Sequence, residues 1–221
     1  MMPVLVKRLR ASLLVTAWHV FFDDSDNLRG SLALLRSHAS DPHEQMRSGL
    51  ELALKSLKAS DNWKEDLTHD VLAIRLENNS KPTEGVRITH QPKSGPAKMP
   101  LTTLLKFSEL GFTKPVYLVG YRVSRAIKDP TGFSLNIPEI RKGRVLAKDK
   151  KSGQFVADYR GEPGDSGAPV FIIDRSEAGN TTVDLAGLYF GSQQCHDDKR
   201  ELWCALATPT DYILQLISSF K

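Results

Sequence analysis

The sequence predicts an all-β fold in two halves, and three observations lead to this prediction. Short apolar runs recur along the whole chain, and Gly, Asp, Asn and Ser separate them. Helical spacing of apolar residues is confined to two segments. A stretch rich in Pro, Gly, Ser and Lys occupies much of the middle of the chain, between residues 78 and 114. Many short strands with few helices between them are typical of barrels and sandwiches rather than of a parallel sheet.

The predicted strands are short runs that either alternate apolar and polar residues or are continuously apolar. Only Arg10 and Ala11 separate the first two, which predicts a hairpin. In chain order the strands are VLVKRL (4–9), SLLVTAW (12–18), DVLAIRL (70–76), VYLVGY (116–121), FVADY (155–159), APVFII (168–173), VDLAGLYF (183–190) and ELWCALA (201–207).

Two segments are predicted to be helices that pack against the sheets, because their apolar residues share one helical face. The first, 41–60, begins with Asp41 as a cap and Pro42 in the first turn. The second, 209–220, ends the chain. The apolar faces consist of Met46, Leu50, Leu54 and Leu57 in the first segment and of Tyr212, Ile213, Leu216 and Ile217 in the second.

Length and charge narrow the class of protein. The 221 residues, 40% of them hydrophobic, suffice for one compact domain or for two small ones that share an interface. The net charge of +4 comes from 30 basic and 26 acidic residues spread along the chain. A nucleic-acid-binding protein more often gathers its basic residues into a stripe. The nearest candidate, RKGRVLAKDKK (141–151), is predicted to be a solvated hairpin, so we expect no nucleic-acid partner.

The N-terminus and the two cysteines predict a cytoplasmic protein without a membrane partner. Basic residues interrupt the apolar N-terminus, and no apolar run approaches the length of a membrane span. Cys195 and Cys204 are too few for a secreted disulfide framework, and no further ligand gives them metal-site spacing. We predict no metal and no other cofactor. Whether these cysteines pair across a hairpin is left open.

The stretch GEPGDSGAPVF (161–171) places one serine, Ser166, among glycines and prolines. A serine hydroxyl is a poor nucleophile near neutral pH unless an adjacent base takes its proton. The oxyanion that then develops needs main-chain N–H donors, and glycines allow the chain to turn such amides inward. The N–H groups of Gly164 and Ser166 are the predicted donors.

A base and a carboxylate occur at suitable places elsewhere. His19 follows an apolar strand in TAWHV (16–20), and Asp70 begins another strand in HDVLAIRL (69–76). Histidine is the usual base for a serine, and a carboxylate usually holds it in the correct tautomer. Neighbouring His69 is expected to be a bystander, and His38, His43, His90 and His196 are expected to be exposed.

Together the motifs T-A-x-H, D-V-x-A-I-x-L and G-D-S-G-x-P, in this order, resemble those of the trypsin/chymotrypsin-like serine peptidases. The resemblance extends over most of the chain, and P-G-D-S-G-A-P with few cysteines favours the bacterial, viral or HtrA-type branches. It implies two perpendicular six-stranded antiparallel Greek-key barrels with a helical insertion in the first and a helix after the second. The implied divisions are an N-terminal barrel (1–90), a connection (91–114) and a C-terminal barrel with its helix (115–221).

The resemblance also implies roles for the residues and a reaction. His19 acts as general base and then acid, Asp70 orients it, and Ser166 attacks a peptide carbonyl to form an acyl-enzyme. The expected function is therefore that of a sequence-specific serine endopeptidase with a polypeptide substrate. The alternative is an inactive or partner-activated binding module of the same fold. An esterase or acyltransferase is disfavoured because its usual G-x-S-x-G elbow and Ser-Asp-His order are absent.

Four further residues are implied to bind substrate. The chain of the substrate would lie as an antiparallel strand along Phe190, Gly191 and Ser192. Arg160, six residues before the nucleophile, would lie at the pocket for the residue before the cut and favour an acidic side chain. Alternatively, Arg160 points to solvent or pairs with Glu162.

Two features depart from the family pattern. In secreted relatives of the family this aspartate pairs with a freshly cut N-terminal amine, but no Ile-Val-Gly-Gly-like sequence occurs at the start of this chain. Asp165 is therefore expected to bond to local amides or to an internal Lys or Arg. Alternatively, an activating partner or the substrate shapes its region. In addition, only 18 residues precede His19. A strand of the first barrel is therefore expected to be missing, truncated or supplied by another segment.

Overall fold

The computed structural model describes residues 4–8, 11–37, 48–79, 81–90, 98–120, 127–128, 134–135, 139–149, 151–176, 179–197 and 200–220. The first nine strands, in chain order, are β1 (Val4–Arg8), β2 (Ala11–Ala17), β3 (Leu32–Ser37), β4 (Ser48–Ala53), β5 (Trp63–Asp66), β6 (Val71–Asn78), β7 (Lys81–Pro82), β8 (Val86–His90) and β9 (Met99–Pro100). Helix α1 (Leu54–Lys58) follows β4, and 3-10 turns cover Trp18–Val20 and Leu101–Thr103.

These strands form two sheets. The larger has the order β5-β6-β2-β1-β9, with β7 paired to β6, and the smaller has the order β3-β4-β8. Strands β2 and β6 are antiparallel with Ala17 opposite Val71, so the end of β2 meets the beginning of β6. This register brings the residues that follow Ala17 next to those that precede Val71. The outer edge of β1 is covered by β9, where Val6 lies opposite Met99.

The remaining strands are β10 (Pro115–Gly120), β11 (Ile127–Lys128), β12 (Ser134–Leu135), β13 (Glu139–Asp149), β14 (Gln154–Ala157), β15 (Pro169–Arg175), β16 (Thr181–Asp197) and β17 (Arg200–Pro209), and helix α2 (Thr210–Ser218) ends the chain. Six of them close into a barrel with the order β10-β13-β14-β17-β16-β15. Phe155, Leu118 and Ile172 are fully buried inside it. Strands β11 and β12 pair with each other.

Helix α2 packs against both halves of the chain. Its Ile213 and Ile217 share one buried cluster with Val6 and Leu13 from the larger sheet and Leu185 from the barrel. Arg8 of β1 donates hydrogen bonds to Ile217 O in the last turn of α2, at 2.7 Å, and to Phe220 O just beyond the helix, at 3.1 Å. The halves are therefore joined by a common core, which removes their apolar surfaces from water together.

The mostly-β fold and the C-terminal helix are confirmed. The predicted helix over 41–60 is wrong for residues 48–53, which form β4, and the helix is limited to Leu54–Lys58. Residues 41–47 lie outside the described residues. The leucines at positions 50 and 52 lie on the same face of β4, opposite Leu35 and Ala33 of β3. Leu50, Leu54 and Leu57 have helical spacing, but two neighbouring strands supply the hydrogen bonds that fix β4 as a strand.

The structure joins Cys195 and Cys204 in a disulfide across the β16–β17 hairpin, with their Cα atoms 5.9 Å apart. This outcome decides the point that the sequence left open. Among the described residues, none of the helices has the length and apolar character needed to cross a membrane.

The strand assignment of residues 48–53 makes a specific prediction about stability. Leu52 is fully buried, whereas Leu32 in the neighbouring strand is 50% exposed. Leu52→Ala should lower the free energy of unfolding by about 2–5 kcal/mol because it leaves a cavity. Leu32→Ala, the matched control, should change it by less than ~1 kcal/mol. Urea unfolding measures both, and equal effects would contradict the strand register.

Candidate active site

His19 and Asp70 form a two-point hydrogen-bonded pair at the junction of β2 and β6. The main-chain N–H of His19 donates to Asp70 Oδ1 at 2.9 Å, and the ring Nδ1 lies 2.7 Å from Oδ2. Because a carboxylate only accepts hydrogen bonds, Nδ1 must carry the proton. In the neutral ring the other nitrogen, Nε2, therefore has a free lone pair. The side chains of His19 and Asp70 are 38% and 21% exposed, so the ring remains accessible.

The backbone of Asp70 adopts an unusual conformation that directs its carboxylate at His19. Its φ of +55° lies in the left-handed region, which costs a non-glycine residue about 1 kcal/mol. The Asp70 carbonyl accepts the N–H of Trp18 at 3.1 Å. The turn that carries His19 is thus bonded to Asp70 through both main chain and side chain.

Ser166 lies between two tight turns. In the first, Asp165 N–H donates to Glu162 O at 3.0 Å, and Gly164 has a φ of +98°. In the second, Ala168 N–H donates to Asp165 O at 2.7 Å, and Gly167 has a φ of +79°. A positive φ at the third position of a turn is the type II geometry, which requires glycine in practice. This geometry explains the local sequence P-G-D-S-G.

The serine turn packs directly against the strand that leads to His19. A Cβ added at Gly167 would lie 2.0 Å from Thr16 Oγ1 and 3.1 Å from Ala17 N, so only glycine allows this approach. Hydrogen bonds from Gly167 N–H to Tyr189 O (2.8 Å) and from Tyr189 N–H to Ala168 O (2.9 Å) fix the other side of the turn to β16. Ser166 therefore lies beside the end of β2, where the His19–Asp70 pair begins.

The Ser166 hydroxyl makes no hydrogen bond to His19 or to any other described residue. The N–H groups of Gly164 and Ser166 also lack an acceptor within the described part of the chain. A hydroxyl and two amide donors thus remain available for a ligand.

Asp165 is fully buried and forms an ion pair with an internal arginine. Arg141 Nη2 lies 2.5 Å from Asp165 Oδ2, and the N–H of Glu162 donates to the same oxygen at 2.6 Å. The Arg141 side chain is 9% exposed. A Cβ added at Gly120 would lie 2.2 Å from Asp165 Oδ1, so glycine there leaves space for the carboxylate. The sequence left open whether Asp165 has partners within the chain or is shaped by another molecule. In the structure its partners are internal: the guanidinium of Arg141 and the N–H of Glu162.

Two buried tyrosines line the barrel side of the site. Burial raises the pKa of Tyr159 and of Tyr189, which keeps both phenols neutral. Tyr189 Oη lies 2.8 Å from Ser192 Oγ. The ring of Tyr189 fills the space beside Gly161, where an added Cβ would be 2.0 Å from it. This contact packs the segment 158–164 against residues 188–192 of β16.

The edge of β16 beyond Leu188 is the place where a strand could add. Strand β15 pairs with β16 only from Thr181 to Leu188, and a bulge between Tyr189 and Gly191 interrupts the pairing with β17. From Phe190 onward, β17 is the only strand paired with β16 in the parts of the chain described.

Arg160 lies in the segment that precedes the serine turn and contacts Trp203 of β17. Its side chain is exposed, and its guanidinium carbon lies 5.5 Å from the ring centre of Trp203, which is 46% exposed. No ion pair joins Arg160 to Glu162 among the described residues. The arginine therefore rests on an aromatic face, with its charge available to a ligand.

Some residues of the site were not named from the sequence. Arg141 was foreseen only as an unspecified internal Lys or Arg, and Tyr189 and Trp203 were not foreseen at all. Alternation along β13 is the only signal for the burial of Arg141, and it does not identify Asp165 as the partner, because β14 lies between the two residues in the chain. Of the histidines expected to be exposed, the side chains of His38, His43, His90 and His196 lie outside what the structure describes.

Comparisons with other proteins add no identification to this geometry. No known protein family matches the chain, and no curated protein sequence is similar to it. The described residues contain no group of three or more His, Cys, Asp or Glu side chains that could hold a metal ion. The function must therefore be argued from the arrangement of side chains and turns.

The buried Arg141–Asp165 pair makes a testable prediction. Arg141→Met should lower the free energy of unfolding by about 3–5 kcal/mol because it leaves a buried carboxylate without its cation. Arg144→Met is the matched control, since Arg144 is exposed on the same strand, and it should change stability by less than ~1 kcal/mol. Thermal and urea unfolding provide the measurement. A loss no greater for Arg141→Met than for the control would contradict the ion pair.

Proposed function

We propose that this protein is a serine endopeptidase that uses His19, Asp70 and Ser166. The observation that carries the proposal is the His19–Asp70 pair, which leaves Nε2 free to accept a proton, beside a serine whose hydroxyl is unbonded. A histidine held by a carboxylate is the arrangement that activates a serine nucleophile. The N–H groups of Gly164 and Ser166, which have no acceptor among the described residues, also support the proposal.

The proposed reaction has two steps. His19 Nε2 takes the proton from Ser166 Oγ as that oxygen attacks a peptide carbonyl carbon, and the imidazolium then gives the proton to the departing amine. The new ester bond joins Ser166 to the acyl part of the substrate. Water enters in the second step, His19 takes its proton, and the ester is hydrolysed to release the carboxyl product and restore the serine. Asp70 stabilises the imidazolium in both steps without being protonated.

The N–H groups of Gly164 and Ser166 are proposed to bind the oxyanion. Gly164 follows Pro163 in a type II turn, and the turn fixes the direction of the Gly164 amide. Two main-chain donors on rigid turns require little reorganisation when charge develops. The bonded Asp165 beneath them supports a site that is formed without an N-terminal amine or an activating protein.

The fold is compatible with a trypsin/chymotrypsin-like enzyme of the bacterial, viral or HtrA-type branches. The six-stranded barrel and the helix that follows it support this proposal. The placement of Ser166 in the barrel half, and of His19 and Asp70 in the other half, supports it as well. In this proposal the two N-terminal sheets correspond to the first barrel. A cytoplasmic location stays a prediction, and the Cys195–Cys204 disulfide weighs against it because disulfides persist mainly in oxidising compartments.

The second candidate is an inactive or partner-activated module of the same fold. The absence of a Ser166–His19 hydrogen bond among the described residues favours it. In that case a partner or substrate would have to shift the serine toward the ring. The Arg141–Asp165 ion pair argues for the first candidate, because the region beside the serine is already held in place.

Labelling with a fluorophosphonate separates these candidates. The isolated chain should be labelled at Ser166, and Ser166→Ala should abolish both labelling and peptide cleavage. Asp70→Asn should reduce the cleavage rate by about 10⁴-fold because the ring then favours the wrong tautomer. Ser108→Ala is the control, because Ser108 is exposed and distant from Ser166 in the sequence. This variant should be labelled at Ser166 at the wild-type rate. If the folded wild-type chain is not labelled, whether or not peptides are present, the proposed peptidase function is refuted.

Specificity is proposed to come from the β16 edge and Arg160. The substrate chain would pair with Phe190, Gly191 and Ser192 as an additional antiparallel strand. Arg160 carries an exposed charge, and the ring of Trp203 packs against one face of its guanidinium. This arrangement favours an acidic side chain immediately before the cut.

Cleavage of a peptide library tests this preference. Wild-type protein should prefer Asp or Glu before the cut, and Arg160→Gln should weaken the preference by about 10-fold because a charge-assisted hydrogen bond is lost. Arg175→Gln, at an exposed arginine of β15, should leave it unchanged. Cleavage with no acidic preference in the wild-type protein would exclude this role for Arg160.

A further inference from the structure

The residue before Asp70 belongs to a second histidine–carboxylate pair. His69 Nδ1 lies 2.7 Å from Asp66 Oδ2, and the main-chain N–H of His69 donates to Asp66 Oδ1 at 3.2 Å. The same two-point pattern joins His19 to Asp70. The His69 side chain is 19% exposed and that of Asp66 is 25% exposed. The ring is therefore fixed by the end of β5 rather than free in solvent.

The C-terminal half holds His69 from the other side. The ring of Tyr212, on α2, stacks on the His69 ring with their centres 3.4 Å apart and their planes 14° from parallel. Thr208 Oγ1, on β17, donates a hydrogen bond to the His69 carbonyl at 2.6 Å. Tyr212 is itself fixed, because its hydroxyl fills the space beside Gly153, where an added Cβ would lie 1.8 Å away. Elements β5, β17 and α2 thus converge on one histidine.

These contacts act on the backbone angle that directs the Asp70 carboxylate. The φ of Asp70 describes rotation about its N–Cα bond, relative to the peptide unit that it shares with His69. Thr208 donates a hydrogen bond to the oxygen of that peptide unit. Asp66 and Tyr212 hold the side chain of His69. A left-handed φ of +55° at a non-glycine residue persists only where its surroundings impose it.

We propose that Asp66, His69 and Tyr212 form a positioning cluster that holds the Asp70 carboxylate on His19. The proposal rests on the proposed function, because holding the carboxylate would serve catalysis by His19 and Ser166. His69 is a positioning residue, since it acts on Asp70 through the main chain and has no contact with Ser166 among the described residues. Because Tyr212 lies on α2, the correct packing of this helix is also required for the orientation of His19.

Three substitutions remove different parts of the cluster. Asp66→Asn removes the charge with little change in shape, His69→Ala removes the ring, and Tyr212→Ala removes the stacked partner. Two conservative variants should rescue the function. His69→Asn places an amide nitrogen where Nδ1 lies, and Tyr212→Phe keeps the aromatic face. Asp61→Asn is the matched control, because Asp61 is fully exposed near the same strand.

Two measurements are made on each variant of the full chain. The first is the rate at which a fluorophosphonate labels Ser166. The second is the far-downfield proton resonance of His19 Nδ1–H in nitrogen-15-labelled protein, which reports the bond to Asp70 directly. The three disruptive variants should lower the labelling rate on the order of 10-fold and should shift or broaden the resonance. The rescue variants should recover most of both signals, and Asp61→Asn should match the wild type.

The outcomes separate this proposal from the proposed function. An unchanged resonance and labelling rate in both Asp66→Asn and His69→Ala would overturn the positioning role. If the wild-type protein is not labelled, the proposed function fails, and the resonance alone then decides whether the cluster positions Asp70. If His69→Ala does not fold, as circular dichroism would reveal, Asp66→Asn and Tyr212→Ala decide the question. Lost labelling with an unchanged resonance would also refute the proposal.

Discussion

The pair of hydrogen bonds between His19 and the Asp70 carboxylate is the constraint on which the arrangement of the site depends. It requires a left-handed backbone at Asp70, a tight turn after β2 and a register in which Ala17 lies opposite Val71. Each of these is a main-chain condition. The pairing of β2 with β6 sets the register, and the proposed positioning cluster around His69 supports the backbone angle of Asp70. The side chains of the pair therefore meet because the sheet brings their strand ends together, and a shift of one residue would separate them.

The other half of the site depends on close main-chain approach instead of on side-chain bonding. Gly167 lets the serine turn contact the end of β2, and Gly120 leaves space for the buried Asp165 beside Arg141. In both places a methyl group would overlap an oxygen atom of the neighbouring side chain. Gly167 thus allows the barrel half to pack closely against β2 of the other half, whereas Gly120 allows close packing inside the barrel half.

How much the sequence predicted differs from element to element. Strand β6 and helix α2 can be predicted because their local signals agree: β6 begins with a continuous apolar run that is buried, and α2 has a single apolar face. The helix prediction is wrong for residues 48–53 because Leu50 has helical spacing to Leu54 and Leu57 of α1, while pairing with β3 and β8 on either side makes this segment a strand. His19, Asp70 and Ser166 could be chosen from motif order, since each lies next to a recognisable strand. Arg141 and Tyr212 could not, because neither contains a local signal of its distant partner.

The sequence by itself determined the β-rich character, the C-terminal helix and the glycine turns around Ser166, because periodicity and turn chemistry are local properties. Only the tertiary structure decided that Asp165 meets Arg141, that Cys195 bonds Cys204 and that His69 lies between Asp66 and Tyr212. These contacts join residues from different strands and helices. Their existence depends on strand register and on how α2 packs against both halves, and neither of these can be read from a single stretch of the chain.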